Sequence, residues 1–518
     1  MKPFFFFLCF SFTISAAAQC TEFTRLITAA KADWERGNFE NAYDKLSAAR
    51  EACPQKTNEV DEQYTAFNRD ITEKNKQLEK QTNALKLSQK ALEFKTQQAE
   101  AATVKAEKQQ IISDGQAKTF AASELKASNM HLSLRLAEYA YNKSPSPEAL
   151  QVLSTAVYNQ FDHNNINFID FKHSASVYSA IFSPDGTKIL TCSNDKTVKL
   201  WDTQGNLLAD LNKHKDRVNS AIFSPDGTKI LTCSYDKTAK LLDTQGVLLA
   251  DLNKHSGFVY SAIFSPDGTK ILTCSDDSTA KLWDIQGALL ADLNKHTDAV
   301  HSAIFSPDGT KILTCSYDKT AKLWDTKGAL LADLNKHTDA VRSAIFSPDG
   351  TKILTCSWDK TAKLWDTKGA LLADLNKHIA PVTSAIFSPD GTKILTSSYD
   401  KTAKLWDTQG ALLADLNKHT DAVLSAIFSP DGTKILTSSY DKTAKLWNTK
   451  GALLTDLNKH TGAVYSAIFS PDGKYILTAS SDGTAKLWPT PQTILEWLKT
   501  KPFPELTKEE KAQYHIED

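Results

Sequence analysis

The sequence predicts a mainly β fold, an eight-bladed propeller of four-stranded antiparallel sheets, preceded by an α-helical region with a possible coiled coil. Two observations lead to this prediction. A Lys-His pair returns every 41 residues from His173 to His460, and each unit carries four short strand-like segments separated by turn signals. A period of about 40 to 45 residues with four strands per unit is typical of propeller blades.

The unit that contains Trp365 illustrates the pattern. Its strand-like segments are VRSAIF, KILTCS, TAKLWD and ALLADLN, and its turn signals are SPDG, WDK, TKG and NKH. Proline and glycine fall in the turns and not in the strand-like segments, as hydrogen-bonded strand ladders require. Each unit therefore reads as one four-stranded antiparallel sheet.

The number of blades follows from a missing strand. Eight units carry the first three segments, but only seven are followed by a complete fourth segment. The segment INFIDFKH, at 166–173, precedes the first unit and would supply the fourth strand of the last one, leaving no unpaired edge inside the ring. We expect a propeller over 166–488 with eight blades; seven blades plus a divergent extra unit is the alternative.

Several positions of the unit resemble the WD-repeat family, in particular WD-repeat propellers of bacterial type. The Trp-Asp pair stands at Trp201-Asp202, Trp283-Asp284, Trp324-Asp325, Trp365-Asp366 and Trp406-Asp407, and the units depart from it at Leu242-Asp243, Trp447-Asn448 and Trp488-Pro489. The resemblance implies that His337, Thr355, Asp359 and Trp365 form a hydrogen-bonded structural tetrad, in which the indole donates to the threonine.

A His, a Thr and an Asp in every unit could also suggest a hydrolase triad. Eight near-identical sets indicate a structural module instead, because an active site normally occurs once and is recognised by geometry and roles. Leu242 removes the indole donor from the second unit, so we expect a weaker network there. We predict no enzyme activity, no cofactor and no metal site, since no motif for a metal or a phosphate stands elsewhere.

The first residues, MKPFFFFLCFSFTISAAAQC, have the form of a secretory signal peptide. Cleavage after Ala18 would remove 1–18 and export the protein to the periplasm, the cell surface or the medium; lipidation at Cys20 is the less favoured alternative. No later segment is long and apolar enough for a transmembrane helix. In an oxidising compartment Cys20 and Cys53 are the candidate disulfide.

The region before the propeller reads as helical. Residues 19–54 resemble one tetratricopeptide-like hairpin that turns at Gly37, and 55–127 form a long polar helix with a weak heptad stripe, a possible coiled coil for self-association. A break is expected near Gly115. Residues 128–161 read as a helical pair, and 489–518 read as a C-terminal helical extension.

The units differ from one another at a few offsets only. These lie just after the repeated histidine, at the start of the first strand, and just before the tetrad aspartate. In an antiparallel blade these positions all emerge on one face of the disc, whereas the nearly invariant SPDG and TKG turns emerge on the other. The candidate ligand-binding residues are Tyr178, Asn219, Tyr235, Phe258, Tyr260, His301, Tyr317, Arg342, Trp358, Tyr399, Tyr440 and Tyr465.

The units repeat the residues of the blade scaffold and vary those of one face, and this pattern predicts a binding protein. Aromatic residues and arginine dominate binding hot spots, and a net charge of −1 gives no reason to expect nucleic acid as a partner. The resemblance to WD-repeat propellers implies a non-catalytic scaffold for a protein or peptide ligand. A carbohydrate-binding or cell-wall-binding module is the alternative, since tyrosine and tryptophan also stack on sugar rings.

Overall fold

The computed structural model of the chain describes residues 16–125, 130–160, 169–500 and 506–516. It divides into two units, 1–109 and 110–518. The helices are α1 (Ala16–Glu35), α2 (Phe39–Ala52), α3 (Thr57–Leu125), α4 (Met130–Lys143), α5 (Pro147–Gln160), α6 (Pro491–Thr500) and α7 (Lys508–Gln513), with one turn of 3-10 helix at Pro54–Lys56.

The first unit contains a helical hairpin. Helices α1 and α2 are joined at Gly37, whose φ of +82° lies in the left-handed region that glycine favours. Trp34 is buried between them, stacks on Phe67 with the ring centroids 3.9 Å apart, and donates from Nε1 to Asp70 at 2.7 Å. Phe39 packs edge-on against Trp34 at the border of this cluster and is 36% exposed.

The cysteines of the first unit bear on the predicted disulfide. Cys53 lies at the end of α2, is almost fully buried and is disulfide-bonded. The side chain of Cys20 and the signal segment 1–15 lie outside the described residues. The pairing of Cys20 with Cys53 and the cleavage after Ala18 therefore stay predictions.

Helix α3 runs without interruption through Gly115, so the expected break at that residue is wrong. A Cβ atom at Gly115 would lie 2.6 Å from Cβ of Ser144, at the end of α4. The glycine therefore allows a close approach between two helices and does not end one. Pro145 follows the end of α4, and Ser146 caps α5 by accepting a hydrogen bond from the backbone N–H of Ala149.

Within the residues that the structure describes, thirty-two strands, numbered in chain order, form eight four-stranded antiparallel sheets. The first, β1 (Ile169–Lys172), precedes the blades; blades 1 to 7 then take four consecutive strands each, named a to d, and blade 8 takes three. Blades 1 to 4 comprise Val177–Phe182, Lys188–Ser193, Val198–Asp202, Leu207–Asp210; Val218–Phe223, Lys229–Ser234, Ala239–Asp243, Leu248–Leu252; Val259–Phe264, Lys270–Ser275, Ala280–Asp284, Leu289–Leu293; and Val300–Phe305, Lys311–Ser316, Ala321–Asp325, Leu330–Leu334. Blades 5 to 8 comprise Val341–Phe346, Lys352–Ser357, Ala362–Asp366, Leu371–Leu375; Val382–Phe387, Lys393–Ser398, Ala403–Asp407, Leu412–Leu416; Val423–Phe428, Lys434–Ser439, Ala444–Asn448, Leu453–Leu457; and Val464–Phe469, Tyr475–Ser480, Thr484–Pro489.

The ring closes as the sequence predicts. Strand β1 pairs antiparallel with strand c of blade 8 and becomes its fourth strand, with Phe171 opposite Ala485. Strand a of each blade contacts strand a of both neighbours, including blade 8 with blade 1. The a strands therefore surround the centre and the d strands form the outer rim, and the prediction of eight blades is confirmed.

The hydrophobic cores lie between neighbouring blades. Between blades 4 and 5, for example, Ala321 and Leu334 of blade 4 share a buried cluster with Trp365 of blade 5. The repeated cysteines belong to these cores: Cys356 is fully buried, and burial raises the pKa of its thiol to about 12. The five repeated cysteines are free thiols and behave as small apolar residues.

Helices of the second unit cover one part of the rim. Leu150 and Leu153 of α5 and Leu498 of α6 share a buried cluster with Leu454, in strand d of blade 7. Tyr158 of α5 donates a hydrogen bond to the carbonyl of Pro489, at 2.6 Å. Helix α6, the first part of the C-terminal extension, thus packs on the propeller.

Candidate binding face of the propeller

The predicted tetrad forms one continuous hydrogen-bonded network in blade 5. Trp365 Nε1 donates to Thr355 Oγ1 at 2.8 Å, and Thr355 Oγ1 lies 2.7 Å from His337 Nε2. His337 Nδ1 lies 2.7 Å from Asp359 Oδ2, and Asp359 also accepts from the backbone N–H groups of Thr338 and Thr361. Every polar group of the tetrad therefore has a partner.

The hydrogen bonds also assign the protons. The threonine accepts from the indole, and His337 Nδ1, which faces the ionised Asp359, carries a proton and donates to it; the threonine hydroxyl also lies 3.4 Å from the carbonyl of Lys363. The side chain of His337 and the whole of Thr355 are 0% exposed. A hydroxyl with no accessible surface cannot reach a substrate, which favours the structural role.

Blade 2 keeps the network although it lacks the tryptophan. His214 lies 2.8 Å from both Thr232 and Asp236, as in the other blades, and only the indole bond is missing. Leu242 takes the place of the tryptophan in a core that also contains Val198 of blade 1. At the position of Val198, blades 2 to 8 have alanine. Val198 is larger than the alanine of the other blades, and Leu242 is smaller than their tryptophan. The two changes therefore offset each other in side-chain volume at this interface.

The eight tetrad aspartates should make the propeller acid-sensitive. Burial alone would raise the pKa of Asp359, but hydrogen bonds from His337, Thr361 and the backbone outweigh it and hold the pKa well below its usual range. The pKa is lowered in the same way at Asp195, Asp236, Asp277, Asp318, Asp400, Asp441 and Asp482. A folded pKa below the unfolded value of about 3.9 adds stability that is complete above that pH and is lost as the pH falls through the folded pKa.

Denaturant titrations at pH 5, 4 and 3 measure this effect. We expect the free energy of unfolding to begin to fall between pH 5 and 4 and to fall steeply below 4, because each of the eight groups that binds a proton only in the unfolded chain contributes up to about 1.4 kcal/mol per pH unit. An Asp359→Asn variant should show a shallower fall. A free energy of unfolding that is constant from pH 5 to pH 3 contradicts the proposed charge state of the tetrads.

The variable positions meet on one face because two loops of each blade are joined there. In blade 5 the backbone N–H of Trp358, in the b–c turn, donates to the carbonyl of Ala340, in the d–a loop, at 2.9 Å. The corresponding bond joins Tyr317 to Ala299 in blade 4 and Tyr440 to Ala422 in blade 7. We call the surface formed by these loops and by the outer ends of the a strands the variable face.

One cluster on the variable face surrounds Arg217. Its guanidinium carbon lies 3.4 Å from the ring centroid of Tyr235 and 5.3 Å from that of Tyr178, and Nη1 donates to the Tyr178 hydroxyl at 3.2 Å. The Tyr235 ring also stacks on Phe258, with the centroids 4.4 Å apart. Nε of Arg217 is buried and has no hydrogen-bond partner within the described part of the chain.

A second cluster surrounds Arg342. Its Nη1 donates to the Tyr317 hydroxyl at 2.8 Å, and its guanidinium carbon lies 5.7 Å from the Trp358 ring. His301 stacks on Tyr317 with the centroids 5.6 Å apart. Burial, with the neighbouring Arg342, lowers the pKa of His301 to about 3, so this imidazole is neutral near pH 7.

Tyrosines connect the two clusters around the centre. The ring of Tyr178 lies 5.4 Å from that of Tyr465, which lies 6.5 Å from Tyr440, and Tyr440 stacks on Tyr399. On the other side Tyr260 contacts both Tyr235 and His301 and donates to Asp276 at 2.7 Å. Burial and this carboxylate raise the pKa of Tyr260.

All twelve candidate residues therefore lie in one connected surface. Asn219 joins it through a hydrogen bond from Nδ2 to the carbonyl of Tyr260. Trp358, Tyr399, Tyr440 and Phe258 are its most exposed aromatic members, each between 37% and 41% exposed. Sequence reasoning missed Arg217, although it stands in the same variable offset as Phe258, three residues after the histidine.

Both arginines of the variable face lack a counter-ion among the residues that the structure describes. Neither Arg217 nor Arg342 forms an ion pair with a residue of the described ranges. Arg217 donates to the Tyr178 hydroxyl, and Arg342 donates to the Tyr317 hydroxyl and lies 3.5 Å from His301 Nδ1. A guanidinium held against aromatic rings presents a fixed set of donors together with apolar contact area. Such a surface can bind ligands with acceptor groups flanked by apolar groups.

These blades define a WD-repeat β-propeller. Residues 166–202 and 205–243 match the family of the WD domain, G-beta repeat. Residues 234–489 match the family of the IFT122 first beta-propeller. The chain thus contains WD40 repeats, and propellers of this kind are typically scaffolds for protein interaction.

The similarity to known proteins is limited to the propeller. No curated protein matches the sequence of this chain, and no family match covers the helical region before 166, so the tetratricopeptide resemblance stays a prediction. Among the described residues, no helix has both the length and the apolar character needed to cross a bilayer.

Proposed function

We propose that this protein is an exported, non-catalytic scaffold that binds a protein or peptide through the variable face. The observation that carries the proposal is that the residues that differ between copies converge on one surface, where they form a continuous band of aromatic rings and two arginines. Neutral variation at exposed loops would spread over both faces of the disc. Loops on a rigid scaffold are the usual place for recognition.

The composition of the variable face favours a protein or peptide ligand. Arginine and aromatic residues give large contact areas with few rotatable bonds, and such residues carry most of the energy in protein interfaces. Arg217 and Arg342 carry guanidinium groups, which suit carbonyl or carboxylate groups of a ligand. Near-identical polar networks in all eight blades support a structural use of the His, Thr and Asp side chains.

A carbohydrate or cell-wall ligand is the second candidate. Trp358, Tyr399 and Tyr440 are exposed aromatic rings, and a sugar ring can stack on such a surface. A sugar ligand would depend mainly on these rings. A peptide ligand would depend on the arginines as well.

The test is a chemical-crosslinking pull-down from envelope extract, with the full secreted chain as bait and a glycan array run in parallel. Changing Tyr317, Arg342 and Trp358 together to alanine should remove the captured protein, because these three side chains contact one another in the Arg342 cluster. A single Arg342→Lys variant should weaken capture, since lysine cannot reproduce the stacked guanidinium.

The matched control is Tyr475→Ala. Tyr475 is 38% exposed and starts strand b of blade 8, at the end of the strand opposite to the b–c turn. Capture should survive this change. Equal capture by the triple variant and the native chain excludes the variable face as the binding site, and glycan binding that survives Arg342→Lys but fails without Trp358 favours the carbohydrate alternative.

Export and self-association are part of the proposal. The apolar segment before Ala18 supports export, as does the burial of all five free cysteines of the blades. Along α3, Leu78, Leu85 and Leu92 recur at heptad spacing and are 62% to 67% exposed. Such a stripe supports pairing with a second copy of α3, so light scattering of the native chain and of a variant with these leucines changed to glutamine tests for an oligomer.

A further inference from the structure

The outer strand of blades 1 to 6 carries two adjacent leucines that stay accessible. Each of these side chains is between 41% and 50% exposed. We call them the leucine pairs: Leu207–Leu208, Leu248–Leu249, Leu289–Leu290, Leu330–Leu331, Leu371–Leu372 and Leu412–Leu413. They form a regularly spaced set of apolar surfaces around the rim, on the d strands and away from the variable face.

The backbone at the leucine pairs disfavours the addition of another strand. In blade 4, Leu323 faces Ala332 and Trp324 faces Leu330, so Leu331 is the extra residue of a β-bulge. The same register shift occurs in blades 1 to 7. A bulge interrupts the row of hydrogen-bonding groups that an added strand needs. A partner therefore has to bind the rim through side-chain contacts and not through backbone hydrogen bonds, which suits a helix better than a strand.

Blade 7 shows such a surface occupied by a helix. Leu454, the counterpart of Leu331, is only 7% exposed because α5 packs on its strand. The residues of α5 in the same buried cluster include Leu150, Leu153 and Val157. Their spacing of three and four residues places them on one face of the helix.

Blade 7 is not better suited to a helix than blades 1 to 6. Its outer strand differs at Thr455, whose hydroxyl is buried without a hydrogen-bond partner in the described residues. Blades 1 to 6 have alanine at that position: Ala209, Ala250, Ala291, Ala332, Ala373 and Ala414. An unpaired buried hydroxyl opposes burial, so a helix on these blades avoids a cost that α5 bears.

We propose that the leucine pairs of blades 1 to 6 are docking surfaces for an amphipathic helix of a partner protein. The helix presents apolar residues at the spacing of Leu150, Leu153 and Val157, as α5 does on blade 7. This interaction is independent of the variable face. A partner with several such helices would contact several blades at once, and its binding would strengthen through multivalency.

The probe is a synthetic peptide with the sequence of α5, 147–160, carrying benzoylphenylalanine in place of Val152. It is irradiated with the full native chain, and the crosslinked residues are located by mass spectrometry. We expect crosslinks on the outer strands of blades 1 to 6. Blades 1 and 2 can be told apart, because Asn206 and Val247 stand where the later blades have alanine.

Two matched controls decide the outcome. A peptide with glutamine in place of Leu150, Leu153 and Val157 should lose about tenfold or more of the crosslinking, because it lacks the apolar stripe. A chain with Leu207→Glu and Leu208→Glu should lose crosslinks to blade 1 and keep those to blade 2. Equal crosslinking by both peptides, no crosslinks at the rim, or crosslinks only to the blade 7 strand overturns the proposal. A Trp358→Ala chain should crosslink normally, which separates this result from the variable face.

Discussion

Replacing Phe171 by alanine should lower the free energy of unfolding by about 4 kcal/mol, within the range known for buried phenylalanine. Phe171 is fully buried in β1, the strand that the beginning of the propeller sequence contributes to blade 8. Its ring packs edge-on against Trp201, with the centroids 5.5 Å apart. The cavity would lie where the two ends of the propeller meet, so closure of the ring should weaken.

Denaturant unfolding and amide hydrogen exchange measure the effect of Phe171→Ala. The matched control is Leu334→Ala, because Leu334 faces Ala321 in blade 4 as Phe171 faces Ala485 in blade 8. Both variants should be less stable. Exchange should accelerate first in β1 and its partner strand for Phe171→Ala, and in blade 4 for Leu334→Ala; a loss below about 1 kcal/mol for Phe171→Ala contradicts a closing role.

Replacing Trp365 by leucine should lower the free energy of unfolding by about 3 kcal/mol, part from the cavity and part from the lost hydrogen bond to Thr355. The change puts leucine where blade 2 has Leu242, but without the larger valine that shares the core with Leu242. At the interface of blades 1 and 2, Val198 shares the core with Leu242; at blades 4 and 5, Ala321 shares it with Trp365.

A double-mutant cycle tests this compensation. Adding Ala321→Val to Trp365→Leu should recover about 1 kcal/mol, although Ala321→Val alone should destabilise by overpacking. Leu242→Trp should be neutral or stabilising only when Val198→Ala accompanies it. Strictly additive losses in denaturant titrations show that the two positions do not share volume.

The repeat made the propeller predictable. A period of 41 residues and a missing fourth strand were enough to place β1 in blade 8, because each strand can pair only where a ladder lacks one. The variable face was predictable for a similar reason: an antiparallel blade fixes which loops share a side. Arg217 was missed although Phe258, at the same offset, was included, because only the packing against Tyr178 and Tyr235 shows that Arg217 belongs to this face.

Helix packing was less predictable from the sequence. Gly115 looked like a helix end, whereas the space it leaves is needed by Ser144, a residue far along the chain. The seven outer strands are nearly identical in sequence, and nothing in Leu453–Leu457 except Thr455 distinguishes the strand that α5 covers. Tertiary packing of this kind depends on contacts between distant segments, which local patterns do not contain.

The near-identity of the blade interfaces has an evolutionary consequence. Loss or duplication of one 41-residue unit by recombination would join two blades through an interface that already exists elsewhere in the molecule. Most side-chain contacts would survive such an event, and β1 would still bond to whichever unit came last. The gene can therefore gain or lose modules, and with them side chains displayed to ligands, while each new junction keeps a hydrophobic core of an existing type.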